Sequence, residues 1–84
     1  MQEKEFEILD ELYFVISFDE LEEVSAMDRK ELVKVLIALW ENGWIRCYFG
    51  LDNELDSGKA DIKYQFNKYH YLASKEGLMA HNSR

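Results

Sequence analysis

SFDELEEVSAMDRKELVKVLIALWENGWI, running from Ser17 to Ile45, carries two start-of-helix signals and one stop signal. Ser17 and Asp19 each stand three residues before a glutamate, Glu20 and Glu22, so either can open a helix through reciprocal side-chain capping. Phe18, Leu21, Val24 and Met27 then form the inward stripe of that helix. Asp28 followed by Glu31 is a further capping box, and Met27 just before it can clasp Leu32 as a hydrophobic staple. The helix that begins there has Leu32, Val35, Leu36 and Leu39 as its core stripe. It stops at Asn42-Gly43, where the glycine supplies the left-handed residue of a C-cap and Trp44 can fold back on Leu39. The three-residue turn Ser25-Ala26-Met27 makes the two helices cross steeply, as in a helix-turn-helix.

Upstream, Phe6, Leu9, Tyr13 and Ile16 recur at helical spacing and predict a first helix whose last turn, Leu12 to Ile16, is apolar all round. One side of that turn can enter the core; the other, including Phe14, must meet a second element or a second subunit. Downstream, Ile45, Cys47 and Phe49 alternate with Trp44, Arg46 and Tyr48, the period of a half-buried strand. A return strand is expected from Ile62 to Ala73, with apolar phases Ile62, Tyr64, Phe66 and then Tyr69, Tyr71, Ala73. The slip of one near Asn67-Lys68 requires a bulge, or else leaves one aromatic set on the open face of the hairpin. Leu51 to Asp61, polar and acidic with a Ser57-Gly58 turn, is the connecting wing, and Ser74 caps a short last helix reaching about Asn82. The fold expected is α+β: a three-helix bundle with a two- or three-stranded antiparallel wing and a short C-terminal helix, in a single domain over residues 1–84.

At 84 residues the chain can bury only about 60% of its unfolded surface, so its stability is modest and dimerisation would add to it. A content of 48% hydrophobic and 14% aromatic residues argues against disorder. No apolar run approaches the roughly 18 residues of a membrane span, and the acidic stretch Gln2 to Asp10 does not read as a signal peptide, so the expected compartment is the cytoplasm. The lone Cys47 cannot form an internal disulfide and sits in a strand pattern, where it reads as a small buried hydrophobe. The net charge of −7 is unevenly placed. Residues 1 to 27 hold nine acids against Lys4, or −8, while residues 28 to 84 hold nine bases and eight acids, or +1. Charges more than a Debye length of about 8 to 10 Å apart are largely screened, so an acidic back does not forbid a DNA-facing front.

The order helix, short extended link at Ser17-Phe18, helix, helix, strand, wing, strand resembles the winged-helix regulators of bacteria, of the MarR and PadR kind, over about residues 6 to 80. Two pieces carry the resemblance: Leu36-x-x-Leu39-x-x-x-Gly43-Trp44-Ile45, like the family's exit from its third helix, and Tyr71-x-Ala73-Ser74-x-x-Gly77, like its strand-to-helix exit, with Ala73 where leucine is usual. The resemblance implies a winged helix-turn-helix whose third helix enters the major groove of double-stranded DNA. It places Arg29, Lys30, Val33, Lys34 and Ile37 outward on that helix and Lys59 and Lys63 on the wing near phosphates. Arg29 or Lys30 would then donate to guanine O6 and N7, and Val33 or Ile37 would touch a thymine methyl. Separately, the all-round apolar turn at Leu12 to Ile16, with little chain left to cover it, predicts a homodimer through the first and last helices with Phe14 in the interface. Opposed to DNA stand Asp52, Glu54, Asp56 and Asp61 in the wing, which would meet phosphate oxygens.

Other chemistries read less well. Asp52-x-Glu54-x-Asp56 opens like an EF-hand loop, but Gly58 stands one place late and Lys63 occupies the position of the bidentate glutamate. His70 and His81 have no cysteine or carboxylate at a zinc-ligand spacing, and the chain has neither a Gly-rich phosphate loop nor a nucleophile elbow. No cofactor, no metal and no enzymatic activity is expected. The rival to DNA binding is a protein-interaction module using the acids of the first two helices and an aromatic surface drawn from Phe14, Trp40, Trp44, Tyr48, Tyr64 and Tyr69.

Overall fold

A computed structural model describes residues 1–83; Arg84, the last residue of the domain read over 1–84, lies outside the described residues. The elements are α1 (Glu3–Asp10), β1 (Ile16–Ser17), α2 (Phe18–Ser25), α3 (Arg29–Glu41), β2 (Ile45–Phe49), β3 (Asn53–Glu54), α4 (Ile62–Gln65), a 3-10 turn (Phe66–Lys68), β4 (Tyr69–Ala73) and α5 (Lys75–Asn82). The fold is therefore α+β, with five helices and a four-stranded antiparallel sheet in the order β1-β4-β2-β3. One face of the sheet presents Ile45, Cys47, Tyr69, Tyr71 and Ala73 to a core completed by Ile8 and Leu9 of α1, Phe18 and Leu21 of α2, and the expected stripe Leu32, Val35, Leu36 and Leu39 of α3. Cys47 is fully buried, and that burial pushes its thiol up to about 12, so it behaves as the small hydrophobe its strand position implied.

The helix signals of the central stretch act as local chemistry dictates, with one exception in packing, since Val24 of the expected inward stripe is 53% exposed while Phe18 and Leu21 are buried, and one in capping. Ser17 Oγ accepts the Glu20 amide (3.2 Å) and donates to the Glu20 carboxylate (3.3 Å), so Ser17 rather than Asp19 opens α2. The capping exception is α3: Asp28 occupies its N-cap but makes no side-chain cap, and the Glu31 carboxylate that would complete the box accepts from Lys4 of α1 at 2.8 Å instead. At the other end the Gly43 amide donates to Trp40 and the Trp44 amide to Leu39, the paired bonds of a Schellman motif, with Gly43 at φ +74°. Ser74 caps α5, accepting the Gly77 amide (3.0 Å) and donating to the Gly43 carbonyl (2.7 Å). A Cβ added at Gly77 would collide with the Trp44 carbonyl, so only glycine lets α5 approach the α3 exit this closely.

Two expectations are corrected. The first helix does not continue to Ile16: α1 ends at Asp10, and residues 11–15 form a loop that leads into β1. Leu12 to Ile16 is a run of large, partly β-branched side chains that suits an extended chain as well as a helix, and tertiary pairing decides between them. Ile16 and Ser17 pair with Tyr71 and His70, and the Leu12 carbonyl accepts the Ala73 amide at 2.8 Å. Phe14 accordingly sits on a loop, not on a helix face. The return strand is likewise half as long as expected. Ile62 to Gln65 is helical and Phe66 to Lys68 is a 3-10 turn, so the phase slip at Asn67-Lys68 marks a change of element and not a bulge. Ile62 and Phe66 are four apart and both turn inward, whereas Tyr64 is 73% exposed; a strand reading had counted all three on one face.

Candidate functional site

The outer side of α3 is built from both directions. Its start is fixed by the link from α2, where Ala26 takes a left-handed conformation at φ 54° and Met27 donates its amide to Ser25 Oγ (3.3 Å). Across this link the Arg29 guanidinium makes two 3.0 Å hydrogen bonds to the Glu22 carboxylate. That bonding holds Glu22 below the ordinary carboxylate range and raises Arg29 above its own ordinary value. Beyond it, the inward stripe of α3 leaves Lys30, Val33, Lys34 and Ile37 on the opposite side. Lys30 and Lys34 are exposed, and Val33 and Ile37 are half-buried.

The facing wall is α4 with the 3-10 turn, and β4 holds it in place. The Tyr69 hydroxyl accepts the Asp61 amide (3.0 Å) at one end of this segment, and the Tyr71 hydroxyl donates to the Phe66 carbonyl (2.7 Å) at the other. Burial pushes the Tyr71 phenol far above its ordinary value, so it stays a donor at any ordinary pH. Phe66 meets Phe18 of α2 at 4.5 Å between ring centroids, and the Arg29 guanidinium lies 5.7 and 5.8 Å from the two rings. The two walls enclose a groove of about 720 Å³. Val33, Ile37 and Phe66 line it with apolar surface, Lys30 and Lys34 on one side and Lys63 on the other stand around it with Asp28, and the Lys63 ammonium lies 5.3 Å from the Tyr64 ring centroid. Among the described residues no carboxylate lies within ion-pairing distance of these three lysines.

Of the seven residues read as DNA contacts, the structure thus gathers Lys30, Val33, Lys34, Ile37 and Lys63 around one groove. Arg29 reaches it as well, but with its Nε and one Nη2 donor committed to Glu22. Lys59 is not part of it; it lies in the turn closed by its amide on the Asp56 carbonyl (3.0 Å). Phe66 was not read as a site residue, although its four-residue spacing from Ile62 was the available signal. The wing adds little positive charge: Arg46 of β2 is held by two hydrogen bonds to Glu54 (2.7 and 2.8 Å), and Asp52, Asp56 and Asp61 are exposed.

Phe14 lies on a different part of the molecule. Its neighbour Tyr13 hydrogen-bonds His81 Nδ1 (3.0 Å) and Asn82 Oδ1 (3.2 Å), and the His81 ring stacks on Phe6 at 4.2 Å. The Nε2 of His81 faces Asp10 Oδ1 at 3.5 Å without forming a hydrogen bond. These contacts lay α5 over α1 within the one chain and leave Phe14 84% exposed. Of the other aromatics read as surface, Tyr64 is 73% exposed, Trp40, Trp44 and Tyr48 are half-buried, and Tyr69 is in the core. Among the described residues no three His, Cys, Asp or Glu side chains gather where they could hold a metal ion, and no helix is long and apolar enough to cross a membrane.

Comparison of the chain with protein-family models, curated proteins and solved structures finds no match.

Proposed function

We propose that this chain is a winged-helix DNA-binding protein acting as a transcription regulator in the cytoplasm, with α2 and α3 as its helix-turn-helix, α3 as the reader and the β2–β3 hairpin as its wing. The observation that carries the reading is the convergence of Lys30, Lys34 and Lys63, from two separate elements and without carboxylate partners, on the outward side of α3. Cations that make no internal ion pair are what phosphate contacts require, and Val33 and Ile37 between them offer methyl groups to base edges. The order of elements and the Schellman exit at Gly43 add to the resemblance to the bacterial winged-helix regulators.

The reading assigns unequal roles to the cations. Lys30, Lys34 and Lys63 meet phosphate or base; Arg29 braces α2 against α3 through Glu22. The acids of the wing keep non-specific affinity low. Three lysines without ion-pair partners neutralise about three phosphates per subunit, which gives a slope of about −2.7 for log affinity against log salt. Fluorescence anisotropy of a labelled random duplex, titrated across a salt series, tests this. Lys30→Glu with Lys34→Glu is expected to abolish binding at low salt, and Lys59→Glu to leave most of it. Equal binding by the double variant and the parent protein would remove α3 from the reader role.

A further inference from the structure

The largest exposure of any big apolar side chain among the described residues belongs to Phe14, at 84%. Its loop is not slack. Leu12 is fully buried and bonded through its carbonyl to the Ala73 amide, Tyr13 is tied to His81 and Asn82, and Ile16 is paired with Tyr71. Phe14 is therefore presented by a fixed frame, and little conformational freedom remains to be lost when the ring is covered. Exposed carboxylates stand close by in sequence: Asp10 and Glu11 before it, Asp19 and Glu20 after it. Elsewhere on the same chain, the α3–α4 groove has the opposite character: an apolar lining of Val33, Ile37 and Phe66, with Lys30, Lys34 and Lys63 around it outnumbering the one acid there, Asp28. Its volume of about 720 Å³ admits a phenylalanine ring with neighbouring chain.

We infer that Phe14 of one copy seats in the α3–α4 groove of a second copy, so that the protein associates head to tail. Both requirements of a good contact are met together: an aromatic anchor enters an apolar recess, and carboxylates flanking the anchor meet the lysines around that recess. The exposure of Phe14 shows that the ring does not occupy the groove of its own chain, so a Phe14 seated there comes from a second copy. Because the two surfaces differ, the contact is heterologous, and each added copy offers a fresh ring and a fresh groove. It also differs from a dimer through α1 and α5, which already cover one another within the chain. One consequence rests on α3 being the DNA reader: a seated Phe14 covers Lys30 and Lys34, and association then competes with DNA.

Sedimentation velocity without DNA, over a range of protein concentration at low salt, tests the contact independently of any nucleic-acid binding. The parent protein is expected to grow beyond monomer with concentration and to dissociate as salt is raised. Phe14→Glu, which keeps the groove, and Ile37→Glu, which keeps the ring, are each expected to weaken association about thirtyfold or more, the loss typical of a hot-spot anchor. Mixed in equal amounts, the two variants are expected to form a one-to-one dimer that grows no further, because one intact ring meets one intact groove. A mixture that stays monomeric overturns the proposal, as does a parent protein that is monomeric at every concentration or a Phe14→Glu variant that associates like the parent. Should Ile37→Glu fail to fold, Lys34→Glu replaces it; Lys34→Glu is expected to weaken association, and adding Glu11→Lys or Glu20→Lys to it should restore association. Absence of both effects has the same overturning force.

Discussion

The two walls of the α3–α4 groove are held by opposite means. On the α3 side, short-range bonds suffice: Ser17 on Glu20, Ser25 on Met27, Arg29 on Glu22, each between residues at most seven apart. On the α4 side, the segment from Asp61 to Phe66 is secured by hydroxyls that reach it from the core strand β4. The first wall also packs its inward stripe, Leu32, Val35, Leu36 and Leu39, into the core, while the second has only Ile62 buried and depends on the two phenols of β4. Local opening of the cleft is therefore expected on the α4 side first.

Removing the Tyr71 hydroxyl strains this contrast most. Tyr71→Phe leaves the Phe66 carbonyl without its donor in a half-buried position, at an expected cost of about 1–3 kcal/mol in stability. Urea unfolding gives the magnitude. Hydrogen exchange should show the added opening in residues 61–68 and not in α2 or α3; equal opening of both walls would erase the distinction. A smaller loss is expected from Ser17→Ala, about 1 kcal/mol for a lost helix N-cap, read as a lower thermal midpoint with the exchange of α4 unchanged. Acid gives the smallest effect. Glu22 ionises below its ordinary value of 4.5 because Arg29 hydrogen-bonds it, so its stabilising contribution is complete above that value and fades as pH falls through the lowered one. The Glu31–Lys4 and Glu54–Arg46 pairs titrate in the same direction. The Arg29 side-chain N–H signal, followed by NMR on acidification, should move with Glu22 below about pH 4.5; movement already complete at neutral pH would contradict the pairing.

The same contrast explains what the residues disclose on inspection. The α2 cap, the Gly43 exit from α3 and the Ser74 cap are decided by groups within a few positions of each other, and each forms as its local spacing implies. Lys30, Val33, Lys34 and Ile37 follow directly, because a helix with a known buried stripe fixes its opposite side. The end of α1 and the identity of α4 are decided at a distance. Leu12 to Ile16 is drawn out by pairing with β4, and the Asp61–Phe66 segment is selected by two phenols. Even a sound local signal gives way when a stronger partner exists, as when Glu31 leaves its capping duty for Lys4 of α1. Of the groove, then, one side could be read from spacing and the other could not.

The sheet itself has a property that bears on any protein able to gather copies of itself. Its two five-residue strands, β2 and β4, are the inner pair, and both margins are made of strands only two residues long. Where those stubs stop, single bonds continue their work: the Ala73 amide goes to Leu12 and the Leu55 amide to the Cys47 carbonyl. Little backbone is left with which a foreign strand could form a ladder, and ladder growth is the ordinary route to fibrils. A second molecule arriving at either margin therefore finds side chains and not an open strand.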